Sequence, residues 1–325
     1  MALRKTGWGL ILVGLLVQSV SAAQYDGPKV LLKQRYPSGS YLMTTTMNGS
    51  QSVSMEGQPQ PEQQITQRFV VAMDVGEPDA AGLRTMQMTF SHVRQDITMG
   101  PQTLSYDSQG PADKQDPNLA RALGSMTKAK ISVKIGPDDK VAGASGMDEM
   151  WDDWAKATPE MAAFARQMKS QMGDAAIADM VSKASQTLPA DPVGPGDEWE
   201  PTATFKMPMI GELQVKQHCK LLDIEKTPAG NVAVIQYEGT AQSSKETTSD
   251  VGGTAMKVLS VVFKQAGKMR FNVDTGMAES QVMDQDGTMA MAMPGPQEGQ
   301  EVKVNSQQKM KLETTIAKRT PEPAK

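Results

Sequence analysis

The segment ITQRFVVAMDV, which begins at Ile65, sets Ile65, Phe69, Val71, Met73 and Val75 on one side of an extended chain. A period of two fits a strand with one covered face and fits no helix. The pattern recurs in LQVKQHCKLLDI, where Leu213, Val215, Cys219 and Leu221 share a side. It is longest in EVKVNSQQKMKLETTIAK. There Val302, Val304, Met310, Leu312 and Ile316 face one way, while Glu301, Lys303, Asn305, Gln307, Lys309, Lys311 and Glu313 face the other. One apolar and one charged face mark antiparallel sheet, because parallel strands are covered on both faces.

Four features of this pattern occur twice in the same order. Gly39 and Tyr41 open one strand, and Gly196, Asp197 and Trp199 open another. A following strand ends at Asp74 in the first case and at Asp223 in the second, each before a polar turn. Ala81-Gly82 and Ala229-Gly230 then start a return strand. Finally, ISVKIGPDDKVAGAS and MRFNVDTGMAESQV each read as strand, tight turn, strand. The repeated order predicts an internal duplication.

Between the two copies the period changes to that of a helix. In MDEMWDDWAKA, Met147, Met150, Trp151 and Trp154 fall on one side. Thr158 and Pro159 form a helix start, followed by Met161, Phe164, Ala165, Met168 and Met172 at helical spacing and by Gly173 as a stop. Asp174 is expected to cap a further helix that turns Ile177, Met180, Val181, Ala184 and Leu188 inward. The stretch LPADPVGPGDEWE, from Leu188, then ends the helices with prolines and returns the chain to strand.

The predicted fold is α+β and mainly antiparallel β. Two duplicated β-rich halves, 24–146 and 188–318, form a large curved sheet or half-barrel, with a helical insertion at 147–187 and a disordered tail at 319–325. Residues 1–23 read as a signal peptide: Arg4 and Lys5, an apolar run to about Val17, then small residues allowing cleavage after Ala22 or Ala23. That run is too short for a permanent transmembrane anchor. The expected location is therefore periplasmic or extracellular.

Charge and residue usage narrow the function. The formal charge of −4 becomes about −6 once Arg4 and Lys5 leave with the leader, which argues against nucleic acid as a partner. Cys219 is the single cysteine, so no internal disulfide forms, and its place on an apolar strand face predicts a buried, inert thiol. With only His92 and His218, no phosphate-binding glycine loop, no His-Glu-x-x-His and no Gly-x-Ser-x-Gly, no catalytic residue and no cofactor is assigned. The acids Asp148, Glu149, Asp152 and Asp153 would serve a carboxylate-dependent hydrolase, but acids at a helix start are favoured by its dipole in any case. Methionine is abundant, at 25 residues. Met86, Met88 and His92 lie at alternate positions, and two thioethers with an imidazole suit monovalent copper. The competing reading is methionine as an adaptable core filler.

In its order of short motifs the chain resembles an uncharacterised family of exported bacterial proteins, domain of unknown function 6263. The resemblance is carried by Gly39-Ser-Tyr41, Tyr106-Asp107-Ser108, VKIGPDDKVAGASG and, most clearly, LPADPVGPGDEWE. It implies export and a β-rich fold, and it implies no activity. The expected function is non-enzymatic binding or an envelope-associated role, with an apolar small molecule such as a lipid or an envelope protein as partner. A periplasmic copper-binding protein is the first alternative and the hydrolase the last.

Overall fold

The computed structural model describes residues 27–157, 159–184, 187–207, 210–251, 254–295 and 300–319. The proposed leader, the Thr158 helix start and most of the tail lie outside the described residues. The first half holds β1 (Gly39–Met55), β2 (Gln58–Pro59), β3 (Gln63–Val75), β4 (Arg84–Met99) and β5 (Gln102–Asp107), then α1 (Pro117–Leu123), β6 (Lys130–Ile135) and β7 (Val141–Ser145). Three helices follow: α2 (Met147–Ala157), α3 (Pro159–Met172) and α4 (Asp174–Ala184). The second half holds β8 (Glu198–Trp199), β9 (Thr202–Met207), β10 (Gly211–Thr227), β11 (Gly230–Ser243), β12 (Thr247–Val251), β13 (Thr254–Asn272), β14 (Met277–Pro294) and β15 (Glu301–Lys318).

All fifteen strands belong to one open antiparallel sheet, in the order β7-β6-β4-β3-β1-β15-β14-β13-β11-β10-β8. In the first half β1 neighbours β3, β3 neighbours β4, and so to β6 and β7; in the second, β8 and β9 neighbour β10, then come β11, β13 and β14. The succession of neighbours is the same in both. β15 fills the gap between β14 and β1 and pairs along its length with each.

The two halves differ in detail. Tyr41 lies in a long strand and pairs with Met73, whereas Trp199 pairs with Cys219 in a strand of two residues that stops before Pro201. Tyr41 is buried and its hydroxyl donates to the Pro37 carbonyl at 3.1 Å. Asp74 reaches Arg319 at 3.0 Å, while Asp223 accepts from the Ile224 amide at 2.8 Å beside a bulge. Gly82 (φ 77°) and Gly230 (φ 119°) both turn the chain back as expected. At Gly230 any side chain would also collide with Asp274, whose carboxylate accepts from the Asn231 amide at 2.9 Å.

Register sorts the side chains into two faces. One row runs Tyr106, Gln95, Gln67, Met47, Leu312, Met283, Gly267, Tyr237, Cys219, Trp199, crossing ten strands without a charge. The rows through Thr45, Gly49, Gln51 and Val53 are also free of charged residues. The row adjacent to Met47, on the opposite face, contains Lys311, Asp284, Glu238 and His218. Residues of the uncharged rows are mostly buried or half-buried, with Met207 and Gln102 exposed at the margin, and those of the other face are mostly exposed.

Glycines mark where the sheet bends. Gly267 and Gly287 point toward the uncharged face in mid-strand, and a Cβ there would strike the Tyr237 and Phe263 rings. An aromatic laid over a strand glycine permits tight curvature without exposing backbone. Met207 and Leu213 at β9 and β10, and Met310 on β15, line one cavity of about 420 Å³. Flat strands would hold β10 and β15 about 19 Å apart, so this shared wall also reports the bend.

Both ends of the uncharged face are covered. At the β3–β6 end, Met147, Met150 and Trp151 of α2 pack on Val71, Met73, Val75, Met86, Ile131, Val133 and Ile135. Trp151 stacks edge-on with Trp154 at 5.1 Å and donates from Nε1 to the Met172 carbonyl at 2.9 Å. Trp154 donates to the Ser125 hydroxyl. At the other end, Leu32, Leu188, Val193 and Trp199 pack on Cys219, Leu221, Ala233, Ile235 and Phe271. Trp199 is fixed there by a 2.9 Å hydrogen bond from Nε1 to the Thr187 carbonyl.

Three local expectations are corrected. Asp174 does not cap its own helix: its Oδ1 accepts from the Met147 and Asp148 amides of α2, while Asp148 Oδ1 accepts from the Asp174 amide. Two helix starts lie side by side, so each carboxylate reaches the other helix's free amides. Met180 is 46% exposed, because α4 covers the sheet edge with Ile177 and leaves its far side in water. The third correction is Asp223, which does not end its strand, since β10 runs on past a bulge to Thr227. Helix α1 is a further element, capped by Asp116, which accepts from the Asn118 and Leu119 amides.

Candidate functional site

Met86, Met88 and His92 do not share a face. Phe90 pairs with Val71 but His92 pairs with Val70, so Ser91 is an extra residue that flips the alternation. Met86 is buried in the core with Met88 packed beside it. His92 points to the opposite face, its Nε2 2.8 Å from Asp107 Oδ1. Burial pushes the Asp107 carboxyl up, but the Gln109 amide, His92 and the nearby Arg94 charge outweigh it and hold the group below its usual range. The copper-binding trio expected from the spacing is thus split by a bulge.

Three of the four acids of α2 are tied to structure, and Glu149 lines a hollow beside α1. Asp148 caps α4, Asp152 pairs with Lys169 at 2.8 Å, and Asp153 pairs with Lys156 at 3.1 Å. Among the described residues no cluster of three or more His, Cys, Asp or Glu is arranged to hold a metal ion.

Of the other singled-out positions, Gly196 (φ 92°) and Asp197 organise the seam before β8. The Asp197 carboxylate accepts from the Gly194 amide at 2.9 Å and pairs with Lys29 at 2.8 Å. The Lys29 ammonium and that amide hold its carboxyl below the usual range. The Gly196 amide donates to the Leu221 carbonyl, and the Leu221 amide to the Asp197 carbonyl. Gly39, Tyr41, Asp74, Gly82, Gly196, Asp197, Trp199, Asp223 and Gly230 are spread along the sheet and do not converge on one site.

Cys219 is 4% exposed, facing the core between Trp199 and Tyr237. Burial pushes its thiol up to about 11. At pH 8 only about one thiol in a thousand is ionised, and the thiolate is the reactive form. Native protein is therefore expected to leave a disulfide reagent such as DTNB unconsumed for an hour, and to consume one equivalent in urea. Rapid consumption without denaturant would contradict the burial.

Among the described residues, three hollows stand out. One, of about 600 Å³ on the charged face, is lined by Lys216, His218, Lys264, Glu200, Glu238, Asp284 and Asp286, four acids against two lysines. Another, of about 620 Å³ beside α1 and α2, mixes Arg121, Lys128 and Lys130 with Glu149 and Asp153. The third is the cavity of about 420 Å³ on the same face as the two covered clusters, in the rows through Gly49, Gln51 and Val53. Its walls are Met207, Ile210, Leu213, Ala241, Phe263, Met289 and Met310, joined by Gln285, Gly287, Thr288, Ser306 and Gln308. It is smaller, and of these three it is the one lined without a charged residue. Sequence alternation set two of its wall residues, Leu213 and Met310, on apolar strand faces; that they enclose a cavity depends on bending between strands distant in sequence.

The fold and this site define a class: an open, wholly antiparallel sheet with one face free of charge across its central rows, partly roofed by helices. The chain belongs to DUF6263, a family of unknown function whose model matches residues 81–278, from the β3–β4 turn to the start of β14. No curated protein matches the chain in sequence. Among solved structures it is similar to one described as lipid-protein interactions in lipovitellin, with TM-score 0.41 and 10% identity over 90% of this chain and 27% of that one. It thus spans about a quarter of that chain's length. It is also similar to the outer membrane protein OprG from Pseudomonas aeruginosa, with TM-score 0.18 and 6% identity over 89% of this chain and 100% of that one. A third is the translocator domain of autotransporter NalP from Neisseria meningitidis, with TM-score 0.19 and 7% identity over 86% of this chain and 89% of that one. None of these likenesses bears on what this chain binds. No helix among the described residues is long and apolar enough to cross a membrane.

Proposed function

We propose that this protein is an exported, non-enzymatic binding protein of the cell envelope that holds a lipid or other apolar ligand. One observation carries the reading: a cavity of about 420 Å³ opens on a face whose central rows hold no charge. Small-molecule sites commonly measure about 300–1,000 Å³ and are lined by apolar side chains with a few polar groups. Methionine suits such walls, because its unbranched thioether adapts to ligands of differing shape.

The decisive experiment is native mass spectrometry of the mature chain purified without detergent, before and after loading with monoolein vesicles. A bound lipid mass, released on denaturation, is the expected result. A bare chain even after loading would sink the ligand reading. Export has its own check: the protein should be recovered from the periplasmic or extracellular fraction with Ala23 or Gln24 as its first residue. Recovery of the uncleaved chain in the cytoplasm would overturn it.

A further inference from the structure

We propose that the head group taken by the cavity is electrically neutral, so that the ligand is an uncharged amphiphile with a hydroxyl, ester or amide head and a long apolar chain. This rests on the ligand reading above and adds the chemistry of the head. The cavity is graded. Met207, Ile210 and Leu213 form a wholly apolar wall on the β9–β10 side. Opposite it, on β14 and β15, Gln285, Ser306 and Gln308 supply polar groups beside Met289 and Met310. Ser306 is 4% exposed, and its hydroxyl accepts from Gln51 Nε2 at 2.9 Å.

Amides and hydroxyls both donate and accept hydrogen bonds, which matches an alcohol, ester or amide. They carry no charge to balance a carboxylate or phosphate, and an unpaired buried charge is strongly disfavoured. Lysines are close in sequence but not in space. Lys309 and Lys311 alternate with Gln308 and Met310, so they leave from the other side of the sheet, as do Asp284 and Asp286. The described lining contains no charged residue at all.

The test compares 1-monooleoylglycerol with oleate, two probes sharing one chain, by displacement of a fluorescent acyl reporter from the full protein. At pH 8 the monoacylglycerol is expected to bind on the order of 100-fold more tightly, reflecting the cost of burying the carboxylate. Oleate affinity should rise by about tenfold for each unit that the pH falls, the slope for binding of the protonated form alone, while the monoacylglycerol stays level. Oleate binding as tightly at pH 8 would overturn the neutral head and leave the ligand reading standing. Binding of neither probe would overturn both. A Gln308→Lys variant supplies the missing cation and should shift the preference toward oleate by on the order of tenfold. An unchanged preference, in a variant with native circular dichroism, would show that the head does not sit at this wall.

Discussion

Trp151→Ala is expected to lower the unfolding free energy by about 3–5 kcal/mol, the usual cost of removing a buried aromatic side chain. Trp151 is 7% exposed and sits where α2 meets the sheet. Its loss removes the edge-on stack with Trp154 and leaves the Met172 carbonyl without its indole donor. Urea titration followed by circular dichroism measures the change. A loss under about 1 kcal/mol, the typical mean for arbitrary substitutions, would mean that the helical layer is held elsewhere.

Phe271→Ala should cost a similar amount, about 3–5 kcal/mol, at the opposite end of the sheet. Phe271 is 1% exposed and packs among Ala233, Ile235 and Leu32. The informative comparison is between the two variants. Because β15 pairs along its length with both β1 and β14, the halves share one hydrogen-bonded sheet. Both substitutions should therefore displace the same single transition, and the double variant should show the sum of the two losses, as expected for sites with no shared partners. Separate transitions, each sensitive to one substitution, would show that the halves unfold as independent domains.

Much of this architecture is legible in single strands. The alternation at Ile65, Phe69, Val71, Met73 and Val75 and at Val302 to Ile316 predicted which residues turn inward, and the register places them so. The helical spacing of Met147, Met150 and Trp151 likewise marked the side that covers the sheet. Single-residue irregularities were harder. The extra residue at Ser91 has no compositional signature, yet it separates His92 from Met86 and Met88. Asp174 looked like an ordinary cap because local sequence is blind to a second helix start lying beside it. By contrast, α1 was open to prediction: Asp116-Pro117 is the same cap-and-proline signal as Thr158-Pro159. The cavity was beyond reach for a different reason. Met207 and Met310 are 103 positions apart and meet only through curvature that accumulates over several strands.

The position of β15 bears on how the molecule is made. It is the last strand among the described residues, yet it lies near the middle of the sheet, between strands from opposite halves. Until residues 301–318 have been synthesised, β1 and β14 each present a long row of unpaired amides and carbonyls to any extended chain nearby. Pairings of such high sequence separation also form late and slowly. A nascent molecule, or one clipped before residue 301, should therefore be the aggregating species, and a cell that produces this protein has reason to shield it until β15 is in place.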